Sequence, residues 1–406
     1  MGECRATNDP AFNYESNIKC NETPIPLELK ILFVLRVLAS GLLMKDGAEM
    51  TNRFISNTTG NSFFKIFCEL FRKHFGHVYI KPLCGNSMLA SLREYAFLGL
   101  PGCVGSIDAV FVPWDMVPTH LSNLCKGDKG KGLLYETIVT HCKRVISIEG
   151  SYYSTINDKN SVKYCELLSN LKDKKIYKDI SYKIRTGPSV DDFVELSSVY
   201  VIADGGYLEW STIVSAFGVS SYPTEYKFSD WIGSVRKDVE CFYGILKKRF
   251  RFFKCPITLH NQDDIDNAYW TCCMIHNMIL EHDGLDRLWE DGVNWEALNP
   301  NNDIIDETNT IISDYIYSFT VHDPDTFIPV YAHDLIPENE IHSYDNNENN
   351  ESVQHDILKR LLANHLQIMY REGKVRWPKH RKDAIDNFRV NELVRLNLPN
   401  IGDLEV

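Results

Sequence analysis

Apolar residues early in the chain recur at helical spacing. Pro24-Ile25-Pro26 opens the stretch LELKILFVLRVLASGLL, with Gly41 near its end. A short helix is predicted over Glu49–Ile55. Asn57-Thr58-Thr59-Gly60-Asn61-Ser62 reads as a turn, with Ser62 capping the helix FFKIFCELFRKHF. Three helices around a small apolar core fit a helix-turn-helix unit or a helical support domain, and the pattern does not choose between them. Arg53, Lys65, Arg72 and Lys73 are the cations of this region, few and scattered.

The period then changes. Leu89–Leu98 reads as a short helix before a Pro101-Gly102 turn, and Gly105–Val112 as the first strand. Residues 113–132 are expected to be a loop in which Lys126, Lys129 and Lys131 alternate with glycines. Strands follow at Tyr135–Cys142 and Val145–Glu149, helices at Asn160–Leu171 and Val190–Leu196, and a strand at Val199–Ala203. This order predicts an α/β domain whose initial strands pair antiparallel and whose fourth joins the first in parallel, bringing Asp108 and Asp204 together at strand ends. Val235–Phe253 is a long helix with an apolar stripe through Val239, Phe242, Tyr243 and Leu246, and Asp264–Glu281 is a second. Ser352–Tyr370 resumes as an amphipathic helix. The expected divisions are a polar lead at 1–23, a helical domain at 24–100, a catalytic domain at 101–290, an acidic Asn-rich and partly disordered segment at 291–350, and a helical tail at 351–406.

Composition narrows the class. Of 406 residues 44% are apolar, enough for a core of substance. No apolar run approaches a membrane span, and the first residues carry no secretory pattern, so a soluble intracellular protein is expected. Met1-Gly2 invites a myristoylation check that nothing else supports. The twelve cysteines, spread from Cys4 to Cys273, read as buried thiols. Cys272-Cys273, with His276 a turn on, read as core residues rather than a zinc site. The net charge of −12 hides segregation: residues 301–350 hold eleven acids and no Lys or Arg, whereas Arg236–Lys254 holds seven basic residues against two acids.

Three carboxylates stand where chemistry could use them: Asp108 in the first strand, Asp204 after an apolar strand and before Gly205-Gly206, and Glu240 in the helix that turns basic. Carboxylates bind hard divalent cations, and a pair of such ions serves phosphoryl transfer. Arg236, four residues before Glu240, either steadies that carboxylate, receives a phosphate, or makes a surface ion pair. Lys247, Lys248, Arg249, Arg251 and Lys254, interleaved with Phe250, Phe252 and Phe253, are candidate phosphate contacts, as are Lys126, Lys129 and Lys131. Lys237-Asp238 reads as a solvated helix edge. The lysine-glycine loop has no GKS or GKT, which disfavours a phosphate-loop ATPase.

The stretches GSIDAVFVPW (105–114), STIND (154–158), VYVIADGGYLEW (199–210) and VRKDVECFYGILKKRFRFFKCPI (235–257) resemble the transposases of Harbinger-type cut-and-paste elements, particularly their plant-type subgroup. The likeness extends over about residues 24–285. It implies an RNase H-like mixed-sheet catalytic core with an N-terminal helical domain, and a triad of Asp108, Asp204 and Glu240 holding Mg²⁺ or Mn²⁺, two ions per site. Asp158 would support the site from a neighbouring loop. The resemblance further implies cleavage of double-stranded DNA at terminal inverted repeats, strand transfer into a short AT-rich target, assembly as at least a dimer, a Myb-like accessory partner and a nuclear location. RWPKHRK at 376–382 is a weak import candidate. A transposase-derived binding protein without chemistry and a plain metal-dependent nuclease are the competing expectations.

Overall fold

The computed structural model describes residues 25–50, 55–156, 161–285 (less 174–175, 178–179, 188, 190, 198 and 221) and 351–372. The polar lead, Asp158, the acidic segment and the RWPKHRK stretch lie outside the described residues. The fold is mixed α/β. Its helices are α1 (Leu27–Ser40), α2 (Met44–Met50), α3 (Asn57–Tyr79), α4 (Gly85–Phe97), α5 (Glu166–Lys172), α6 (Pro223–Arg249), α7 (Gln262–His282) and α8 (Glu351–Arg371). The strands are β1 (Cys103–Pro113), β2 (Lys126–Gly127), β3 (Gly130–Val139), β4 (Val145–Tyr153), β5 (Tyr182–Arg185), β6 (Phe193–Leu196), β7 (Tyr200–Ile202) and β8 (Ile213–Val214). The main sheet runs β2-β3-β1-β7-β8 with β4 on β3, while β5 and β6 form a separate pair. β1, β3 and β4 are antiparallel, as expected, and β7 and β8 are parallel. Among the described residues no helix is long and apolar enough to cross a membrane.

The chain divides into two compact units, each assembled from separate stretches: 1–85, 105–170 and 238–288 in the first; 86–104, 171–237 and 289–406 in the second. In the first unit α3 carries an aromatic ridge at four-residue intervals, Phe63, Phe67, Phe71, Phe75 and Tyr79, with successive ring centroids 5.0–6.5 Å apart. α7 packs between α3 and the sheet: Tyr269 stacks on Tyr135 at 4.0 Å, and Arg72 lies over Trp270 at 4.6 Å. Lys65 pairs with Asp264 at 2.8 Å, and Arg72 also donates to Asn267 at 3.2 Å. Two of the four scattered cations of the helical region are thus committed to holding α7. Cys272, Cys273 and His276 are buried core residues.

Several local expectations are corrected. The Asn57–Ser62 stretch is the first turn and a half of α3, because Ser56 accepts from the Thr59 amide as the N-cap. Gly60 stands there for packing: a Cβ on it would lie 2.5 Å from the Phe33 ring of α1. The short helix α2 precedes the predicted Glu49–Ile55 span for most of its length. Residues 126–131 form a β2–β3 hairpin rather than a loop, pairing Lys126 with Lys131. Residues 193–196, expected to be helical, are a strand because they pair with β5, Arg185 opposite Phe193. α6 starts twelve residues before the predicted Val235, with Pro223 in its first turn, and gives way after Arg249 to a 3₁₀ turn at Arg251–Phe253.

In the second unit α8 is a core element. Its Ile357, Leu358, Leu361, Leu362, Leu366 and Met369 are buried. The Ser211 amide and hydroxyl both donate to Glu351 at 3.0 Å, and Lys359 donates to the Ala216 carbonyl at 3.2 Å. The Arg185 amide donates to His365 Nδ1 at 2.8 Å, while the Arg185 guanidinium pairs with Glu372 at 3.0 Å.

Candidate active site

Asp108 sits in β1 directly opposite Thr137 of β3, so the two side chains share a face of the sheet. That face is the helical one: the Thr137 and Tyr269 hydroxyls are hydrogen-bonded at 3.1 Å. Asp108 is half-buried, and its Oδ1 accepts from the adjacent Ala109 amide at 2.8 Å. Its carbonyl accepts from the Tyr243 hydroxyl of α6 at 2.5 Å. Burial pushes the Tyr243 hydroxyl far above its ordinary range; a bond with Thr137 opposes this, and the Asp108 charge adds to it. Glu240 is exposed and lies one helical turn before Tyr243, so α6 is tied to β1 beside both carboxylates.

Further along the same seam, Lys247 Nζ donates to the Phe111 carbonyl at 3.3 Å. The two contacts show that α6 and β1 advance in the same direction, from acids towards cations. Burial, and then the neighbouring Lys129 ammonium, hold Lys247 below the usual lysine range. The hairpin lysines Lys126, Lys129 and Lys131 are exposed, with Asp128 in the same turn, as are Lys248, Arg251 and Lys254. Arg249 is turned inward, its guanidinium donating to His276 Nδ1 at 3.0 Å. Arg236 is half-buried in the second unit's part of α6.

Asp204 belongs to the second unit, just past β7. It is exposed, and its Oδ1 accepts from the Gly205 amide at 2.8 Å. A Cβ on Gly205 would meet nothing within 4 Å, so the turn leaves space beside the carboxylate. Among the described residues no group of three or more His, Cys, Asp or Glu is arranged to hold a metal ion.

Two features differ from the sequence reading or are absent from it. Asp238 is no solvated edge: it is 7% exposed, paired through Oδ2 with His141 Nδ1 and through Oδ1 with Lys143 Nζ at 2.9 Å. Burial alone would raise its carboxyl, but His141 and Lys143 bring it below the ordinary carboxylate range. A signal existed, since Asp238 falls on the apolar stripe at three residues from Val235 and four from Phe242. The Tyr243 hydroxyl was also missed, because its ring alone satisfies that stripe.

The model of a family described as plant transposon protein matches residues 79–286, just over half of the chain. The chain belongs to the plant transposon protein family. It is therefore a transposase-related protein. The plant transposon match takes in Asp108, Asp204, Glu240, both cationic stretches and the Asp238 cluster, and it stops short of α8. No curated protein and no solved structure gives a significant match.

Proposed function

We propose that this is a metal-dependent DNA transposase of the Harbinger type, with an RNase H-like core in which Asp108, Asp204 and Glu240 hold two Mg²⁺ or Mn²⁺ ions. The observation that carries the proposal is the β1–α6 seam, which presents carboxylates at one end and cations at the other in a plant transposon family member. The donor set suits hard divalent ions, since all three groups are carboxylates: Asp108 on a rigid strand, Glu240 exposed on a helix, Asp204 exposed in an open turn. When bound, such ions lower the pKa of the attacking hydroxyl and offset charge developing on the phosphate.

The chain's own residues bind and orient the substrate. Lys126, Lys129, Lys131, Lys247 and Lys248 draw the phosphodiester backbone along the seam without reading bases. Arg251 and Lys254 extend that surface, while Arg249 steadies α6 through His276 and Arg236 remains a candidate phosphate contact. DNA held in this way is cut at a terminal inverted repeat to leave a 3′-hydroxyl, which is then joined to a short AT-rich target. Bringing two element ends together calls for at least a dimer, and the resemblance supplies the nuclear location and a Myb-like accessory partner.

The test uses purified full-length protein with Mn²⁺, a duplex of the terminal repeat flanking its gene, and target plasmid. Nicked ends and joined products are expected, and both should vanish in Asp108→Ala, Asp204→Ala and Glu240→Ala while circular dichroism stays native. Cleavage without joining would identify a plain nuclease. Binding without cleavage would identify a transposase-derived binding protein. Cleavage retained by Asp204→Ala would remove that residue from the site.

A further inference from the structure

The seam is held from a second side. The β3–β4 turn closes through Thr140 and Arg144, whose main chains are joined at 2.9 Å, and Lys143 takes a left-handed backbone at φ 69°. Such a conformation is uncommon for a residue with a side chain and persists where surroundings enforce it. Here α7 enforces it. His276 Nε2 donates to the Lys143 carbonyl at 2.9 Å, and Asn277 bonds both the amide and the carbonyl of Val145, at 2.9 and 2.8 Å. The turn so fixed reaches α6 through His141 and Lys143, which both engage Asp238, and Lys143 Nζ also donates to the His141 carbonyl at 2.7 Å.

A helix does not need this to be buried. Val239, Phe242 and Leu246 already supply an apolar face. A buried ion pair is often no more stabilising than apolar residues of the same size, because desolvation cancels much of the attraction. What it adds is direction, since each partner has a fixed place. Asp238 lies two residues before Glu240, and Tyr243, bonded to the Asp108 carbonyl, lies three after. Polar anchors at 238 and 243 project from different sides of the helix and bracket the carboxylate, fixing both its rotation and its advance along β1.

We propose that Asp238, gripped by His141 and Lys143, is a positioning residue that works with Tyr243 to set Glu240 in place relative to Asp108. Neither His141 nor Asp238 touches DNA or reacting atoms in this role, for both side chains are buried. The role rests on the cleavage reading above and adds to it the residues on which that geometry depends.

The experiment measures the cleavage rate constant at saturating DNA and the KM for the terminal-repeat duplex in Mn²⁺, with near-ultraviolet circular dichroism as the check on folding. The full-length variants are Asp238→Asn, His141→Ala, His141→Asn and Tyr243→Phe. Misplacement by an ångström is enough to cost on the order of a hundredfold in rate. Asp238→Asn and His141→Ala are expected to lose at least about tenfold in rate constant with KM unchanged. His141→Asn, whose amide can replace Nδ1 as donor, is expected to recover most of the loss. Tyr243→Phe keeps the ring and tests the second anchor should His141→Ala fail to fold; it is expected to lose rate in the same sense. Wild-type rate constants in natively folded Asp238→Asn and Tyr243→Phe would overturn the positioning role and leave the cleavage reading standing. A rise in KM at constant rate would also overturn it, marking a DNA-binding role instead. A wild-type protein that does not cut DNA, or a Glu240→Gln protein that cuts at the wild-type rate, would overturn the reading itself, and the positioning role with it.

Discussion

His276 has both ring nitrogens engaged in ways that only the neutral ring satisfies: Nε2–H donates to Lys143, and Nδ1 accepts from Arg249. Burial pulls its pKa down to about 4. An unfolded chain takes up that proton near the ordinary histidine value of about 6.5. Between those two values the unfolded state binds more protons, so stability falls as pH drops through this window and levels off below it. The contribution of one such group is no steeper than about 1.4 kcal/mol per pH unit. His276→Gln should therefore be less stable than wild type at pH 7 yet show a shallower decline from pH 6.5 to 4, measured by urea denaturation. An unchanged slope would place the acid sensitivity elsewhere, for instance at His365, which burial also depresses, to about 3. At this scale the sequence discloses the three candidate acids because each follows a recognisable local pattern. The place of Asp238 on the apolar stripe is in the sequence too, but its partners are not, because His141 and Lys143 lie 97 and 95 residues away.

Among the elements, the helical region shows how one residue type can mislead. Gly60 sits in a polar run that reads as a turn, yet its missing side chain is a packing device. The Phe33 ring fits between Gly47 of α2 and Gly60 of α3, where added Cβ atoms would approach to 2.7 and 2.5 Å. Gly60→Ala would gain about 1 kcal/mol of helix propensity. Overpacking a buried ring costs typically 1–3 kcal/mol, so a net loss of roughly 1 kcal/mol is expected in chemical denaturation. Stabilisation would mean that the ring moves aside freely. β6 misleads differently: Phe193-Val194-Glu195-Leu196 is too short for periodicity to decide, and pairing with β5, itself invisible to the pattern, makes it a strand. Long periodic segments were legible for the opposite reason, α7 and α8 being found nearly to their ends.

For the molecule as a whole, the antiparallel start of the sheet and the long helices follow from hydrophobic period, whereas the division into two units does not, since each is built from non-adjacent stretches. α8 is the clearest case. It lies beyond both the acidic segment and the family match, yet it supplies buried side chains and polar clamps to the second unit. A chain stopped at residue 350 is expected to lose cooperative unfolding of that unit and to expose its apolar face, read as increased binding of a hydrophobic dye and loss of near-ultraviolet signal. A truncated chain with native signal would show that the second unit closes without α8.

The polypeptide passes from one unit to the other five times. During translation the first unit cannot complete its core until α7 has left the ribosome, and the second must wait for α8. Most of the nascent chain therefore emerges with unpaired strand edges and uncovered apolar faces, a state in which other proteins are prone to aggregate. Completion of the second unit is therefore a late event, and yield in a foreign host is expected to rise with added chaperone.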